Sequence, residues 1–551
     1  MRKVLRAAIV GLAFAGLVAS GTGCESCRGG ATGAADAAAP VVVPAPPNLL
    51  AEAYVVAPAS WAKLQRGVGG AMGILPAALP QLIAMTAELD PRIAAELDAQ
   101  APLYGVAVGD PAAPSYCLAL KLADPRRARL SLPVGDDAPY TFREEGELTH
   151  LVPKRPVARE GARRPAAAFT DDGWVVVGSA AADLTTLAPY TTKALAAREL
   201  PRDGAIVVDV PRSAVETVLA PKLEAAWSEA KSFLLAADQR MRSERAGKAP
   251  DFGDPKAIVG ALDAVVSRRL AVFRDLEKAR IALDVREDSI ALTAVLTPGA
   301  SGDGRGAART WIEGMRVGDA AMLLGLPASS TIAMSMRDSE GERAAQAAEL
   351  EGAIRSSLGP RLKEETASQL HGVLEDWTKA RGEAIGVAWG AGAFLTTQAR
   401  DKDAAGRALR GAVDLARADP FKDALRVKTV STTAEDLPGI GRVEVAKIAR
   451  TPKPTGCAWS VETGELAVAV AEDPTAALSS QMRPERRLRD EPLVTRFTES
   501  VGGSASVLVV AQPLPNAHAA CALGRRGDTA VLRIDVSDAL LRELSRRFMG
   551  L

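Results

Sequence analysis

The sequence predicts an α+β fold made of two related units, each combining antiparallel sheets with packed helices. Strand-like segments come in runs and the helical segments lie apart from them, a pattern typical of α+β domains. The strand pattern of the first half also returns in the same order in the second half, roughly 280 to 300 residues later. A helical hairpin interrupts the first unit. We therefore predict one domain over residues 49–318, with the hairpin at 212–280, and a second over 319–551.

Three pairs of segments carry the repeat. They are Leu103–Gly109 with Ala384–Gly390, Ala168–Gly178 with Ala458–Ala469, and Ala205–Val210 with Ser506–Ala511. Each segment of the middle pair contains an aromatic-bearing strand, a glycine turn and an apolar strand. Asp172-Gly173 is a strong hairpin signal because glycine accepts the positive φ that tight turns require. We interpret the repeat as a duplication of one α+β unit; the alternative is a chance similarity between α+β segments.

Periodicity predicts the remaining elements. Alternating apolar residues indicate a half-buried strand over Ser115–Leu122. The residues expected on its buried face are Tyr116, Leu118, Leu120 and Leu122. The other elements predicted up to residue 318 are a strand at Ala53–Ala57, helices at Trp61–Met72, Leu79–Leu97 and Ala307–Met315, and paired strands at Ile281–Val285 and Ile290–Leu296. The second unit is expected to open with a strand at Thr331–Met336, followed by helices at Arg343–Ser356 and Arg361–Lys379.

Two helices interrupt the first unit between Val210 and Arg280. Pro221 suits the first turn of the first helix. Apolar residues then recur at intervals of three and four, as in a coiled-coil seam. They are Leu223, Trp227, Ala230, Leu234, Ala237 and Met241, and the second helix presents Ile258, Leu262, Val265, Phe273 and Leu276. Two interpretations are open: both helices pack on the domain's own sheet, or the pair projects as an arm that docks a partner.

Composition bounds the classes of partner. The 551-residue chain has 67 basic and 67 acidic side chains, and 48% of its residues are hydrophobic. This length and hydrophobic fraction allow two or more packed domains. Without Arg2, Lys3 and Arg6, which lie in the signal segment, 64 basic side chains face 67 acidic ones, a net charge of −3. Because the chain lacks the basic surface that nucleic acid requires, we predict no nucleic-acid partner.

The first 24 residues predict export from the cytoplasm. Three basic residues precede an apolar run from Ala7 to Ala19, which is followed by small residues and then Cys24. This order defines a secretory signal peptide. At ~1.5 Å per residue, the apolar run is too short to cross the ~30 Å hydrocarbon core of a bilayer. It therefore indicates a processed segment rather than a permanent span.

This segment resembles the signal peptides of bacterial lipoproteins. The resemblance rests on Thr22, Gly23 and Cys24; Gly21 departs from it, because an aliphatic residue is usual at that position. It implies that residues 1–23 are removed and that Cys24 carries a diacylglyceryl group, so that the lipid anchors the protein to a membrane. The alternative is an ordinary secretory signal that leaves Cys24 as a thiol.

The residues after the cysteine complete this prediction. Residues 24–48 are rich in Ala, Gly and Pro and indicate a flexible tether. In the lipoprotein class an aspartate after the cysteine often retains the protein at the inner membrane, so Glu25 favours the outer membrane. The chain as a whole resembles uncharacterised Ala-rich predicted lipoproteins of high-GC Gram-negative bacteria, a resemblance of class that transfers no site residue except Cys24.

The other four cysteines are scattered. Cys27, Cys117, Cys457 and Cys521 have no metal-site spacing, so the sequence predicts no zinc framework. Cys457 and Cys521 are candidates for a disulfide, since an envelope protein meets oxidising conditions. The alternative is that both are small buried residues.

A search for catalytic groups gives no constellation. His150, His371 and His518 fall in different elements, and no two of them share a metal-binding spacing. The G-x-S-x-G signature is absent from the sequence. The glycine-rich segment 302–306 lacks the Gly-Lys-Ser/Thr ending of a phosphate loop. We therefore predict no catalytic residue, no cofactor and no metal.

Three functional hypotheses remain. The favoured one is a membrane-tethered envelope lipoprotein that acts without catalysis, as a scaffold or by binding an envelope protein partner. The second is a carrier of lipid or another apolar ligand, because curved sheets under long helices can enclose a pocket. The third is a cryptic hydrolase, for which His150 is the residue to test.

Overall fold

The computed structural model describes residues 43–58, 79–133, 138–154, 165–244, 253–286, 288–299, 306–450, 454–461, 464–514 and 517–549. The predicted signal peptide, Cys24, most of the predicted tether and the helix predicted at Trp61–Met72 lie outside these residues.

The predicted α+β class is confirmed. The first ten strands are β1 Leu49–Val55, β2 Leu103–Val108, β3 Ser115–Lys121, β4 Tyr140–Glu145, β5 Leu148–Pro153, β6 Ala166–Thr170, β7 Trp174–Gly178, β8 Ile206–Pro211, β9 Leu276–Val285 and β10 Ser289–Pro298. The next ten are β11 Ile332–Arg337, β12 Arg381–Trp389, β13 Ala393–Ala399, β14 Val427–Leu437, β15 Gly441–Arg450, β16 Thr455–Ser460, β17 Glu465–Ala471, β18 Ala505–Leu514, β19 Ala517–Arg526 and β20 Thr529–Ser537.

Helices separate these strands. They are α1 Leu79–Thr86, α2 Pro91–Ala95, α3 Pro125–Leu130, α4 Ala181–Pro189, α5 Ala220–Glu244, α6 Pro255–Arg274, α7 Ala307–Gly314, α8 Ala321–Leu324, α9 Glu340–Leu358, α10 Glu364–Ala380, α11 Lys402–Arg417, α12 Phe421–Leu425, α13 Pro474–Met482, α14 Pro492–Val501 and α15 Asp538–Met549. A π-helical turn, Tyr190–Leu195, continues α4, and short helical turns over Arg212–Ala214 and Val215–Leu219 lead into α5. No helix among the described residues is long and apolar enough to cross a membrane.

Contacts divide the described chain into two compact units. The first contains the residues up to Ala220, Leu276–Thr297 and the residues from Ile534 onward. The second contains Pro221–Asp275 and Pro298–Arg533. Whether residues 49–318 and 319–551 fold independently stays a prediction.

The first ten strands form an antiparallel sheet with the order β4-β5-β6-β7-β3-β2-β1-β8-β9-β10. Helices α1 and α2 connect β1 to β2, α3 connects β3 to β4, and α4 connects β7 to β8. Asp172-Gly173 forms the tight turn between β6 and β7 as predicted, and Gly173 has a φ of +79°.

The next ten strands pair in the order β14-β15-β16-β17-β13-β12-β11-β18-β19-β20. Helices α9 and α10 connect β11 to β12, α11 and α12 connect β13 to β14, and α13 and α14 connect β17 to β18. Gly464, with a φ of +77°, lies directly before β17. Strand by strand, this order corresponds to that of the first ten strands.

The prediction that strand 115–122 is buried on one face only is wrong. Cys117 and Ala119 pack into one core cluster with α4, whereas Leu120 and Leu122 pack into another with α2 and α3. Helices therefore cover both faces of the sheet at β3. The alternation in the sequence is misleading because both Cys117 and Ala119 are small, and small residues suit the close approach of a helix.

The helix predicted over Leu79–Leu97 is interrupted. Helix α1 ends at Thr86, and α2 begins at Pro91 after Asp90, whose side chain accepts a hydrogen bond from the Arg92 amide at 2.9 Å. Proline suits the first turn of a helix and not its interior, and an aspartate before it is a favoured N-cap.

The predicted helical hairpin is present as α5 and α6. Trp227 Nε1 and Lys231 Nζ on α5 donate to Asp263 Oδ1 on α6 at 2.6 and 2.8 Å. From Leu223 to Ala237 the heptad-like seam is only half-buried, and Leu234 is exposed. Helix α6 instead packs on α9, where small residues from both helices face one another and Arg268 pairs with Glu349 at 2.5 Å. In the sequence, the hairpin is inserted between β8 and β9 of the first unit. The hairpin itself makes its contacts within the second unit.

Candidate functional site

A row of charged side chains crosses the sheet of the first unit. Glu52 on β1 lies directly opposite Asp209 on β8, which in turn lies opposite Arg280 on β9. Both carboxylates are buried. Like charges directly opposite each other on neighbouring strands destabilise a sheet. The arrangement therefore depends on nearby cations.

Two cations hold the Asp209 carboxylate. Arg280 donates to both of its oxygens, from Nε at 2.7 Å and from Nη2 at 2.9 Å, and Lys278 Nζ donates at 2.7 Å. Arg280 also reaches Asp203 at 3.2 Å. Burial alone would raise the pKa of Asp209, but the hydrogen bonds from Arg280 and Lys278 outweigh it and hold the pKa below its ordinary value. Asp209 is therefore charged at neutral pH and fixes both cations in place.

A third cation holds Glu52. Arg198, which follows the π-helical turn, donates to Glu52 Oε2 at 2.8 Å and to the Tyr190 hydroxyl at 2.6 Å. Tyr190 donates its own hydroxyl proton to Glu52. Burial, together with the neighbouring Glu52 carboxylate, raises the pKa of Tyr190 to about 12. Tyr190 is thus a neutral hydrogen-bond donor and not a proton-transfer group at physiological pH.

The three cations and Asp209 line a cleft of about 420 Å³. Its walls are Tyr54, Arg198–Asp203, Asp209, Lys278 and Arg280. Glu52 and Asp209 are buried and Asp203 is 46% exposed, whereas the side chains of Arg198, Lys278 and Arg280 are 44%, 39% and 31% exposed. Lys278 uses one of its three N–H bonds on Asp209, and Arg280 uses three of its five on the two aspartates. The cleft therefore offers hydrogen-bond donors held at fixed positions beside the exposed carboxylates of Glu199 and Asp203; we call it the charged cleft.

The second unit provides an internal comparison. Gly105 on β2 lies opposite Ala53, and Gly386 on β12 lies opposite Ser335, which places these residues at corresponding positions of the two sheets. The residue before Ser335 is Met334, the counterpart of Glu52. Met334 lies opposite Val509, and Val509 lies opposite Cys521, in the places of Asp209 and Arg280. The same row is thus uncharged in one sheet and charged in the other.

The three histidines lie apart. His150 on β5 is buried, and neither ring nitrogen has a hydrogen-bond partner in the described part of the chain; Glu145 Oε2 lies 3.9 Å from Nε2. His371 on α10 pairs with Glu351 at 2.8 Å on an exposed surface, and His518 is buried in β19. None of them lines the charged cleft. Within the described ranges, no three His, Cys, Asp or Glu side chains form a group that could hold a metal ion.

Cys457 and Cys521 are not joined by a disulfide. They lie on β16 and β19, which are six strands apart in the sheet order. At ~4.8 Å per strand this is about 29 Å along the sheet, whereas bridged cysteines have Cα atoms within ~7 Å. Cys117, Cys457 and Cys521 are all free, and burial raises the pKa of Cys457 to about 12 and that of Cys521 to about 11. The structure favours the alternative of two small unpaired residues, but each is only partly buried, whereas the alternative placed both in the interior.

Comparisons with known proteins give no relative. No family model, no curated protein and no solved structure matches the chain.

Sequence reasoning missed every residue of the charged cleft. The available signal was the presence of single charged residues in otherwise apolar strands: Glu52 within Leu49–Val55 and Asp209 within Ile206–Pro211. Such charges are rarely buried unless they are paired. Their partners could not be identified, since Arg198 and Arg280 are 146 and 71 residues away in the chain.

Proposed function

We propose that this protein is a lipid-anchored envelope protein that binds an acidic segment of a partner protein through the charged cleft. The anchor is supported by the sequence up to Cys24, as set out above. The binding role is supported by one observation: buried carboxylates fix Arg198, Lys278 and Arg280 so that their remaining N–H groups face a cleft. Fixed donors of this kind recognise carboxylates without a large entropic cost.

The internal comparison supports a functional role. A charged row that served only to hold the sheet together would be needed in both sheets, yet the corresponding row of the second unit is Met334, Val509 and Cys521. Replacing buried ion pairs by apolar residues is often neutral or stabilising. A costly charged row in one sheet alone is therefore better explained by recognition than by stability.

The alternative of a lipid carrier receives less support. Three cavities of about 390, 440 and 380 Å³ in the second unit are each lined by at least one basic and one acidic side chain, as is the charged cleft. Sites for apolar ligands are lined predominantly by apolar and aromatic side chains. Only the cavity of about 380 Å³ has such a lining, with seven Ala, Gly or Val residues among its ten, whereas seven of the ten residues that line the charged cleft are charged.

The experiment measures binding of a fluorescent hexaglutamate peptide to the full chain in detergent, by anisotropy at low salt. Lys278→Met keeps the side-chain length and leaves Asp209 paired with Arg280, so the fold is preserved while one donor is lost. We expect the Kd to rise at least about tenfold, as for loss of a charged contact in a recognition site. Arg126→Met removes an exposed cation outside the cleft and should leave the Kd unchanged.

Three further measurements make the test decisive. Hexalysine should not bind, and raising the salt concentration should weaken hexaglutamate binding because exposed charges are screened. Inorganic phosphate serves as a competitor: full displacement at equal concentration would show that the site takes small anions and not a protein segment. Equal affinity of the wild type and Lys278→Met would refute the proposed site.

A further inference from the structure

Strand β14 is a long edge strand. Among the described strands it pairs only with β15, and the pairing is regular from Thr429 to Leu437. The four side chains from Ser431 to Ala434 are all exposed, so both faces of the strand are open at its middle. Its outer edge therefore offers a row of backbone N–H and C=O groups for pairing with another strand.

The corresponding edge strand of the first unit differs in length and charge. Strand β4 has six residues, and three consecutive charged residues, Arg143, Glu144 and Glu145, end it. Strand β14 has eleven residues and carries no charge from Thr429 to Ala434, where five of six residues are Thr, Ser or Val. Short edges and charged side chains protect against strand pairing, whereas long, uncharged, β-branched edges favour it. Strand β4 is thus protected against pairing with another strand, and β14 is not.

The charges at the two ends of β14 indicate the partner. Lys428 stands at one end, and Glu435 and Asp436 stand at the other. If two copies pair in an antiparallel manner about Thr432, Lys428 of each copy lies beside the acidic pair of the other. Parallel pairing would instead place like charges together at both ends, which is unfavourable.

We propose that β14 pairs with β14 of a second copy of this chain, antiparallel and centred on Thr432, to form a dimer. In this register Ser431 of each copy lies opposite Thr433 of the other, and Thr432 lies opposite itself. The two-fold symmetry closes the interface, because each β14 edge is used once and no β14 edge is left to extend the assembly. The proposal does not depend on the charged cleft, which lies in the other unit.

Sedimentation equilibrium of the full chain in detergent tests the dimer. Thr432→Lys places two ammonium groups against each other at the two-fold axis, while its exposed side chain leaves the fold intact. We expect the dimer Kd to rise at least about tenfold, given the cost of like charges across an interface. Thr141→Lys, on the protected edge β4, is the matched control and should behave as the wild type.

A charge swap tests the register. Lys428→Asp should weaken the dimer by about tenfold, and adding Asp436→Lys in the same chain should restore most of the lost affinity, since each end then again faces its opposite charge. If the double substitution does not restore the affinity, the proposed register centred on Thr432 is wrong.

Disulfide trapping gives a direct readout. Opposite residues of an antiparallel pair have Cβ atoms about 4.5–5.5 Å apart, close to the ~3.5–4.5 Å of a disulfide. Under mild oxidation Thr432→Cys should cross-link to itself, whereas Thr429→Cys, which lies opposite Glu435, and the wild type should not. A wild-type chain that stays monomeric at high micromolar concentration, or equal cross-linking of both cysteine variants, overturns the proposal.

Discussion

Asp338 is the most deeply buried charge of the second unit's described residues, with no exposed surface. Its carboxylate accepts hydrogen bonds from Arg343 at 3.2 Å and from Arg381 at 3.1 and 2.5 Å, and both guanidinium groups are themselves buried. One acid thus compensates two buried cations just after β11. Removing one member of such a cluster leaves uncompensated charge in a low-dielectric interior.

We predict that Asp338→Asn lowers the free energy of unfolding by about 3–5 kcal/mol, because it leaves two buried arginines without a counter-charge. Urea unfolding at neutral pH measures the change. Asp319→Asn is the control: Asp319 pairs with Arg337 at 2.8 Å, but its side chain is 74% exposed. This exposed pair should contribute no more than about 1 kcal/mol. Equal effects of the two substitutions would contradict the argument from burial.

His150 gives a pH-dependent prediction. Burial lowers the pKa of His150, so the unfolded chain binds a proton at a higher pH than the folded protein does. Stability is therefore complete above the ordinary histidine pKa of ~6.5 and is lost as the pH falls through it, until the folded-state pKa is reached.

His150→Leu should reduce the slope of unfolding free energy against pH between about pH 7 and pH 5, since it removes this titration. At pH 7 the substitution should barely change the free energy of unfolding, because both ring nitrogens lack hydrogen-bond partners in the described part of the chain. Urea unfolding across this range provides the measurement. His371→Leu, at an exposed position, is the control. It should leave the part of the slope that comes from His150 unchanged. An unchanged slope in His150→Leu would argue against burial of a neutral ring.

At the scale of elements, one glycine governs how the hairpin meets α9. Gly253 has a φ of +91°, and a Cβ at this position would lie 2.0 Å from the carbonyl oxygen of Ser357. The next residue, Asp254, donates its amide to the same oxygen at 2.8 Å and caps α6 by accepting from the Lys256 amide. The backbone must therefore pass close to Ser357 for α6 to start in its place.

Gly253→Ala should destabilise the protein by about 1–3 kcal/mol, because it combines a strained φ with a clash against backbone. Hydrogen exchange of the α6 amides should accelerate, and urea unfolding gives the free energy. Gly260→Ala within α6 is the control, since a Cβ there meets no atom within 4 Å. It should stabilise by up to about 1 kcal/mol through helix propensity. The same sign for both substitutions would contradict this account.

The sequence predicted elements better than it predicted their surroundings. Glycine turns such as Asp172-Gly173 and helix starts such as Pro221 are local signals, and the strands and helices around them lie within a few residues of their predicted bounds. Burial is set by distant segments. The alternation over 115–122 gave no indication that α4 and α3 cover opposite faces of β3, and the seam of α5 gave no indication that α6 would pack on α9.

At the scale of the whole molecule, the sequence predicted the α+β class and an order of strands that returns in both sheets. The strand orders of the two sheets correspond one to one, and their origin by duplication stays a prediction. The candidate site escaped prediction because its residues come from four separate segments of the chain, around Glu52, Arg198, Asp209 and Arg280. The cleft exists only once pairing across β1, β8 and β9 brings these segments together.

The proposed lipid anchor belongs to the scale of the whole molecule, because it would decide where every other surface acts. Cys24→Ala should remove labelling by radioactive palmitate and move the protein from the membrane fraction to the soluble or unprocessed pool. Cys27→Ala, three residues downstream, should keep both the label and the membrane fraction. Equal labelling of Cys24→Ala and the wild type would refute the anchor.

The division of the chain has a consequence for its synthesis. The chain leaves the first unit after Ala220, returns at Leu276, leaves again after Thr297 and returns at Ile534. No single peptide-bond cleavage can separate the two units, because each is built from discontinuous segments. Residues 298–533 are also made before the segment from Ile534 onward, so the first unit is the later of the two to be completed.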